Sequence, residues 1–374
     1  MTKAELCAEC GVPLLISREL NWESNGVISL ARSPQNRMVL YESRIIDSLF
    51  KGIEELIGLP IEHIVIESRR REVRKYIENR FPAEVKQLFS YGDQKSPEGG
   101  LEKEGRNPGL EAAKKVTMEV IDIGRIYGYG DSRPGDEWEL GGEYPWRTSI
   151  IRHPYSLPFW AGEALGSIEA FEGNEQWVKY EETGDDTYRM ITYPGSHPIE
   201  LKERLKRKRF DFKPGDIAFE RCSRCGVPVE IARYVWNLEE GTIADPDLER
   251  RMAIYTPSSL EAVLDDLEAE LGESIPELVI EAQRRFVKSR VSGENWNRSG
   301  TTFNRLTALR GLGNITNFDA DEYHLSLNIE NPCLHLLLVG MAKALYELAV
   351  NRKISSHEWA LEAGGELVIT IRVE

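Results

Sequence analysis

Cysteine is scarce in this chain, five among 374 residues, which excludes the dense disulfide framework of a small secreted protein. No apolar run approaches the roughly 20 residues needed to cross a bilayer. The longest lies near Leu334 to Val339, and the N-terminal MTKAELCAEC has no signal-peptide core, so a cytoplasmic protein is expected. Positive charge is in deficit. Against 62 Asp and Glu stand 47 Lys and Arg, a net charge of -15, and long-range repulsion opposes broad binding to nucleic acid or anionic membranes. The one basic concentration, Lys202 to Arg209, reads as a solvated linker, because charge runs are usually exposed. Neither a G-x-G-x-x-G after a strand nor a Walker Lys-Ser/Thr is present, so the glycines of YGYGD and RGLGN read as turns. With 41% hydrophobic and 29% charged residues, the composition suits a globular protein too long for one domain.

Four of the five cysteines stand in two near-copies of one hairpin, CAECGVP from Cys7 and CSRCGVP from Cys222. From these hairpins onward the two halves stay in step, the signature of an internal duplication. RMVLY (Arg37 to Tyr41) answers RMAIY (Arg251 to Tyr255), and Gly58, Glu67 and Arg70 answer Gly272, Glu281 and Arg284. GYGD at Gly128 answers GLGN at Gly311, and Gly162 answers Gly340. The first copy carries an insertion at 90–108, rich in Gly, Pro and charge, which reads as a surface loop.

Each copy shows two short β segments, then helices at Ser43 to Ile57 or Ser258 to Leu271 and at about Ile61 to Arg80 or Ile275 to Val291. A third helix precedes the glycine turn; a strand leads into His153-Pro154 or Asn331-Pro332. A fourth helix covers Leu157 to Phe171 or Leu334 to Val350, and two strands close the copy. Ser258-Ser259 followed by Glu261 reads as a capped helix start. The expected fold is α+β: two homologous domains, each a helix bundle on an antiparallel sheet, paired about a local two-fold axis. The first spans 1–200, a basic linker 201–214, and the second 215–374.

The turn G-x-G, then N-P-C-x-H at Asn331 and the helix V-G-M-A-K-A-L from Val339, resembles the 4-vinyl reductase-type or hydrocarbon-binding domain. The match is best over Arg251 to Val373 and continues more weakly over Arg37 to Tyr193. The resemblance implies a fold related to haem-nitric-oxide-binding domains and vesicle-tethering subunits. It also implies binding of a small apolar, aromatic or tetrapyrrole-like molecule by a sensor, carrier or accessory protein rather than proven catalysis. An enzyme on a tetrapyrrole or aromatic substrate and a protein-interaction scaffold are the rival readings. The zinc-binding cysteines that phenol-sensing members carry near their C-terminal hairpin are absent from Trp359 to Val373, and the Cys7 and Cys222 hairpins lie outside the domain core.

C-x-x-C-G is the form of a zinc knuckle, two thiolates able to reach one ion with a glycine permitting the tight turn behind them. One knuckle supplies only two of the four ligands of a structural zinc. Histidine is a poor source of the rest, since His63, His153, His324, His335 and His357 have no histidine counterparts in the other copy. Cys333 faces Tyr155 and reads as a packing residue. Cys7, Cys10, Cys222 and Cys225 are therefore expected to converge on one zinc per chain that clamps the two repeats. Completion by a second chain, a redox dithiol, an iron site, or no metal are the alternatives. Pro13 and Pro228 argue against a helix starting behind the second cysteine, and so against a helix-activated redox thiol.

Arg70 and Arg284 are expected to pair with Glu67 and Glu281 three residues earlier. Asp185-Asp186 and Asp265-Asp266 read as solvated surface. Tyr155, Phe159 and Trp160, at the start of the first copy's fourth helix, are the candidate ligand-binding residues.

Overall fold

A computed structural model describes residues 5–80, 118–139, 146–197, 211–247, 249–290, 300–362 and 364–373. The expected insertion at 90–108 and the linker through Phe210 lie outside the described residues. The architecture is α+β, helices with three antiparallel sheets. No helix among the described residues is long and apolar enough to cross a membrane. Two compact units form, and neither is one continuous stretch. The smaller takes Glu62–Lys206 with Asn237–Thr242, and the larger takes Thr2–Ile61, Arg207–Trp236 and Ile243–Glu374.

The larger unit opens with α1 (Leu14–Glu19), β1 (Leu20–Trp22), β2 (Ile28–Leu30) and β3 (Ser33–Glu42). After β8 (Val235–Asn237) and β9 (Thr242–Asp245), strand β10 (Arg250–Tyr255) pairs antiparallel with β3, Tyr255 opposite Val39 and Met252 opposite Glu42. Met38 to Tyr41 and Met252 to Tyr255 are buried at consecutive positions, hence on both faces, which explains unbroken apolar runs where a half-exposed strand would alternate. Helix α2 (Arg44–Ile57) buries Ile45, Ile46, Leu49, Phe50 and Ile53, a stripe at helical spacing. Its Gly52 faces Ala282 of α7 (Ile275–Arg290) so closely that an added Cβ would sit 3.1 Å from the Ala282 Cβ. Helix α6 (Pro257–Leu271) starts one residue before the serines read as its cap: Thr256 occupies the N-cap without a side-chain bond, and Pro257 fills the first helical position, where the missing N–H costs nothing. Asp266 on this helix is buried, contrary to the solvated surface expected of it.

The unit continues with α8 (Gly300–Leu309), β11 (Asn314–Ala320), β12 (His324–Glu330), α9 (His335–Val350), β13 (Ile354–Leu361) and β14 (Glu366–Val373), in a sheet of order β11-β12-β14-β13. The smaller unit places α3 (Glu62–Arg80), the helical residues 118–126 designated α4, β4 (Asp131–Glu139), β5 (Trp146–Arg152), α5 (Leu157–Glu172), β6 (Gln176–Gly184) and β7 (Thr187–Pro194) in a sheet of the same order, β4-β5-β7-β6. Each sheet carries one helix between its second and third strands in sequence. In each unit that helix crosses its neighbour on a glycine. A Cβ on Gly162 would lie 2.7 Å from the Ile66 carbonyl oxygen, and one on Gly340 would lie 2.5 Å from that of Ile280. Only a hydrogen at these positions lets the backbones approach so closely. Strands β4 and β11, directly after the glycine turns, were not foreseen; Pro134 and Gly135 inside β4 break its strand signature.

Candidate metal centre

The centre lies wholly within the larger unit. Leu6 bridges Pro13 and Arg221 bridges Pro228, closing two alike hairpins. Within them the Cys7 N–H donates to the Val12 carbonyl and the Gly11 N–H to the Cys7 carbonyl, both at 2.9 Å, and Cys222, Val227 and Gly226 repeat the pattern at the same distance. Gly11 and Gly226 both adopt the left-handed conformation, φ 75° and 78°, which turns the chain tightly behind the second cysteine. The hairpins also hold each other: the Ser223 hydroxyl and N–H donate to Glu9 at 2.6 and 3.2 Å. The Arg221 guanidinium donates to the carbonyls of Gly226 and Trp22.

The four sulfur atoms, Sγ of Cys7, Cys10, Cys222 and Cys225, all lie within 4.8 Å of one another. Cys7 and Cys222 are separated by 3.8 Å and Cys10 and Cys225 by 3.4 Å. A tetrahedral ion with Zn–S bonds of about 2.3 Å requires sulfur separations of about 3.8 Å, so this donor set can hold a metal ion such as zinc. Cys7 and Cys222 are buried, Cys10 and Cys225 half-buried. The backbone N–H groups of Cys10 and then Glu9 hold the Cys7 thiol down at about 6. Burial pushes Cys10 up to about 12 and raises Cys225 as well. A bound dication favours ionisation of all four thiols. Cys333 stands apart, buried, 3.4 Å from the Gly311 carbonyl and raised to about 12 by burial, as a packing residue should be.

One expectation about the hairpins is corrected. Helix α1 does begin directly behind Pro13, and a 3-10 turn over Val229–Arg233 begins directly behind Pro228. Proline occupies the N-cap in both, ahead of the first helical residue, where its fixed φ and missing N–H are compatible with a start. The cysteines precede these N-termini by at least three residues.

In the smaller unit, the expected pair of Arg70 with Glu67 is present at 3.0 Å, but it is part of a larger network that includes a histidine not singled out from the sequence. His197 lies between two carboxylates, Nδ1 at 2.6 Å from Glu67 and Nε2 at 2.5 Å from Glu169. Glu169, fully buried, also accepts from Arg70 at 2.8 Å, Arg74 at 3.5 Å and the Gln176 N–H at 3.0 Å. His197 lies just past the end of β7, outside any periodic element and with no motif around it, so no sequence signal marks it. A carboxylate at each nitrogen favours the doubly protonated ring. Burial works against that charge, and Arg70 also opposes it, yet the bonds to Glu169 and Glu67 raise the His197 pKa above its ordinary 6.5. Glu67 and Glu169 are lowered below 4.5 by the His197 bond and the Arg70 charge, against the opposing effect of burial.

The sign of the linkage follows. The His197 contribution is fully present below pH 6.5 and is lost as pH rises through its higher folded value. The carboxylate contributions are present above pH 4.5 and are lost as pH falls through their lower folded values. Unfolding of the smaller unit, followed by denaturant titration across pH, is expected to show greatest stabilisation from this network between about pH 4.5 and 6.5. In His197→Gln the alkaline decline should flatten; an unchanged decline would contradict the assignment.

The candidate aromatic residues lie together. Tyr155 stacks on Tyr129 with ring centroids 4.3 Å apart and meets Phe159 edge-on at 6.0 Å. Its hydroxyl donates to Glu163, which also pairs with Arg69, and the Trp160 indole N–H donates to the Tyr129 carbonyl at 2.7 Å. Tyr155 and Phe159 are buried and Trp160 is half-buried.

No protein-family model matches this chain, and no curated protein matches it. Among solved structures, a Cs H-NOX mutant with the unnatural amino acid 4-cyano-L-phenylalanine at site 5 is similar at 12% identity, over 32% of this chain and 73% of that chain, with a TM-score of 0.24. The resemblance to the 4-vinyl reductase-type domain therefore rests on the residues quoted above.

Proposed function

We propose that this chain is a cytoplasmic small-molecule-binding protein of the sensor, carrier or accessory kind, built by duplication of one domain, with a single structural zinc that ties the two cysteine hairpins together inside the larger unit. The observation that carries the metal part is the convergence of four sulfurs within 4.8 Å. A closed shell of four thiolates leaves no open position for substrate or water, which suits a structural ion. The duplication is supported by the shared strand order of the two four-stranded sheets and the matching glycine crossings. The ligand part is supported by the resemblance of Arg251 to Val373, and Tyr155, Phe159 and Trp160 are its proposed contacts. Elemental analysis of protein purified under reducing conditions should return one zinc per chain; an equal content of iron, or no metal, overturns the zinc reading. Native mass spectrometry should then show a retained organic mass beside the metal. A chain carrying metal alone, unable to take up added apolar aromatic compounds, overturns the ligand reading.

A further inference from the structure

The sheet of the smaller unit has a second face. Ile151 and Met190 face Ala161 and Trp160 of α5 in the core, so by the alternation of strand side chains their neighbours point the other way. On that open face the register aligns Arg133, Ile150 and Arg189 in one row across β4, β5 and β7, and Asp131, Arg152 and Thr187 in the next. The pairing of β4 with β5 slips between Pro134 and Trp138, an irregularity that bends a strand away from its partner. Beside it a cleft of about 340 Å³ opens, lined by Arg133, Pro134, Glu137, Ile150, Arg152 and Arg189 among others. That volume is at the lower end for small-molecule sites.

The charges inside are unequally satisfied. Asp131 is taken by Arg125 from below and by Arg133, whose Nε is 2.8 Å away. Arg189 is held by Glu137 and Glu181. The Arg152 guanidinium makes no hydrogen bond or ion pair among the described residues. The lining carries three arginines and two carboxylates, and behind it Glu181 also holds Arg189 and Asp122 also holds Arg125, which leaves Arg152 as the cation of the group with no partner among the described residues. A guanidinium presents paired N–H donors matching the planar fork of a carboxylate, and Ile150 and Pro134 offer apolar wall beside it.

We infer that this cleft binds a small organic carboxylate, its anionic end on Arg152 and Arg189 and its apolar body against Ile150 and Pro134. Glu137 then acts as a competitor that the ligand displaces from Arg189. This site is independent of the four cysteines and of the Tyr155 cluster.

Benzoate, titrated into the reduced 374-residue chain, is the probe, and the labelled Ile150 δ1 methyl is the reporter in methyl NMR. Benzoate should shift that methyl saturably. Arg152→Ala should weaken binding at least tenfold, and Glu137→Gln should tighten it severalfold; both residues are exposed, and unchanged circular dichroism would verify folding. No saturable shift, or a shift indifferent to Arg152→Ala, overturns the inference. Inorganic phosphate saturating as tightly as benzoate overturns the commitment to a carboxylate.

Discussion

Replacing Cys222 with serine is expected to lower the zinc content of the reduced protein from one ion per chain to nearly none, and to destabilise the larger unit by about 5 kcal/mol. The magnitude follows from the length of chain the ion closes. Cys7 and Cys222 are 215 residues apart, and a cross-link over a loop of that size removes about 5 kcal/mol of conformational entropy from the unfolded ensemble. Weak hairpin contacts such as Ser223 with Glu9 are exposed and cannot replace it. Denaturant unfolding with and without a zinc chelator measures the same quantity in the unmodified chain. Cys333→Ser is the control: its sulfur contacts Gly311 and not the cluster, so zinc content should stay at one. Full zinc retention in Cys222→Ser would show that the ion is held elsewhere.

Glu169→Ala is expected to cost the smaller unit about 3 to 5 kcal/mol, the usual penalty for stranding a buried charge by removing its partner. Glu169 has no exposed surface, and Arg70 and His197 beside it are almost as deep, with side chains 3% and 1% exposed. Without the carboxylate, Arg70 retains Glu67 among the described residues, and the His197 Nε2 loses its buried partner. The larger unit supplies an internal comparison. Glu347 pairs with Arg284 at 2.6 Å and Lys288 at 2.7 Å, and Arg284 pairs with Glu281 as read from the sequence. There the cations are 23% and 39% exposed, so water can solvate them once Glu347 is gone. Glu347→Ala should therefore cost about 1 kcal/mol or less. Equal losses in urea unfolding of the two variants would refute the argument from burial.

Several of these features are legible in the sequence alone. The ion pairs Glu67 with Arg70 and Glu281 with Arg284 follow from three-residue spacing on a helix, a local rule that needs no tertiary information. The α2 stripe and the two closing strands of each copy were equally readable from periodicity. The cysteine cluster was reached by a different route. A knuckle of two thiolates is chemically incomplete, no histidine is duplicated, Cys333 faces a tyrosine, and the second knuckle is the equivalent thiolate pair.

Other elements were read wrongly for identifiable reasons. The prolines behind the knuckles have the character of helix breakers, yet a proline just ahead of the first turn lacks nothing the helix needs. Asp266 was assigned to solvent from its charge alone, while its position beside Leu267, Val263 and Ser259 on the buried side of α6 places it inside. Strand β4 carries a proline and a glycine at its irregular pairing, which hid a strand whose register is set by β5.

By itself the amino-acid sequence determined the α+β class, the main helices and closing strands, the convergence of the four cysteines and the local ion pairs, because each depends on spacing along the chain or on the donor count of an ion. Only the tertiary structure decided which distant stretches share a unit. The hairpins at Cys7 and Cys222 both belong to the larger one, where strand β3 pairs with β10 and helix α2 meets α7. It also placed His197 between two carboxylates and left Arg152 facing an open cleft. Those outcomes depend on which surfaces meet across hundreds of residues, and no periodicity or motif records that.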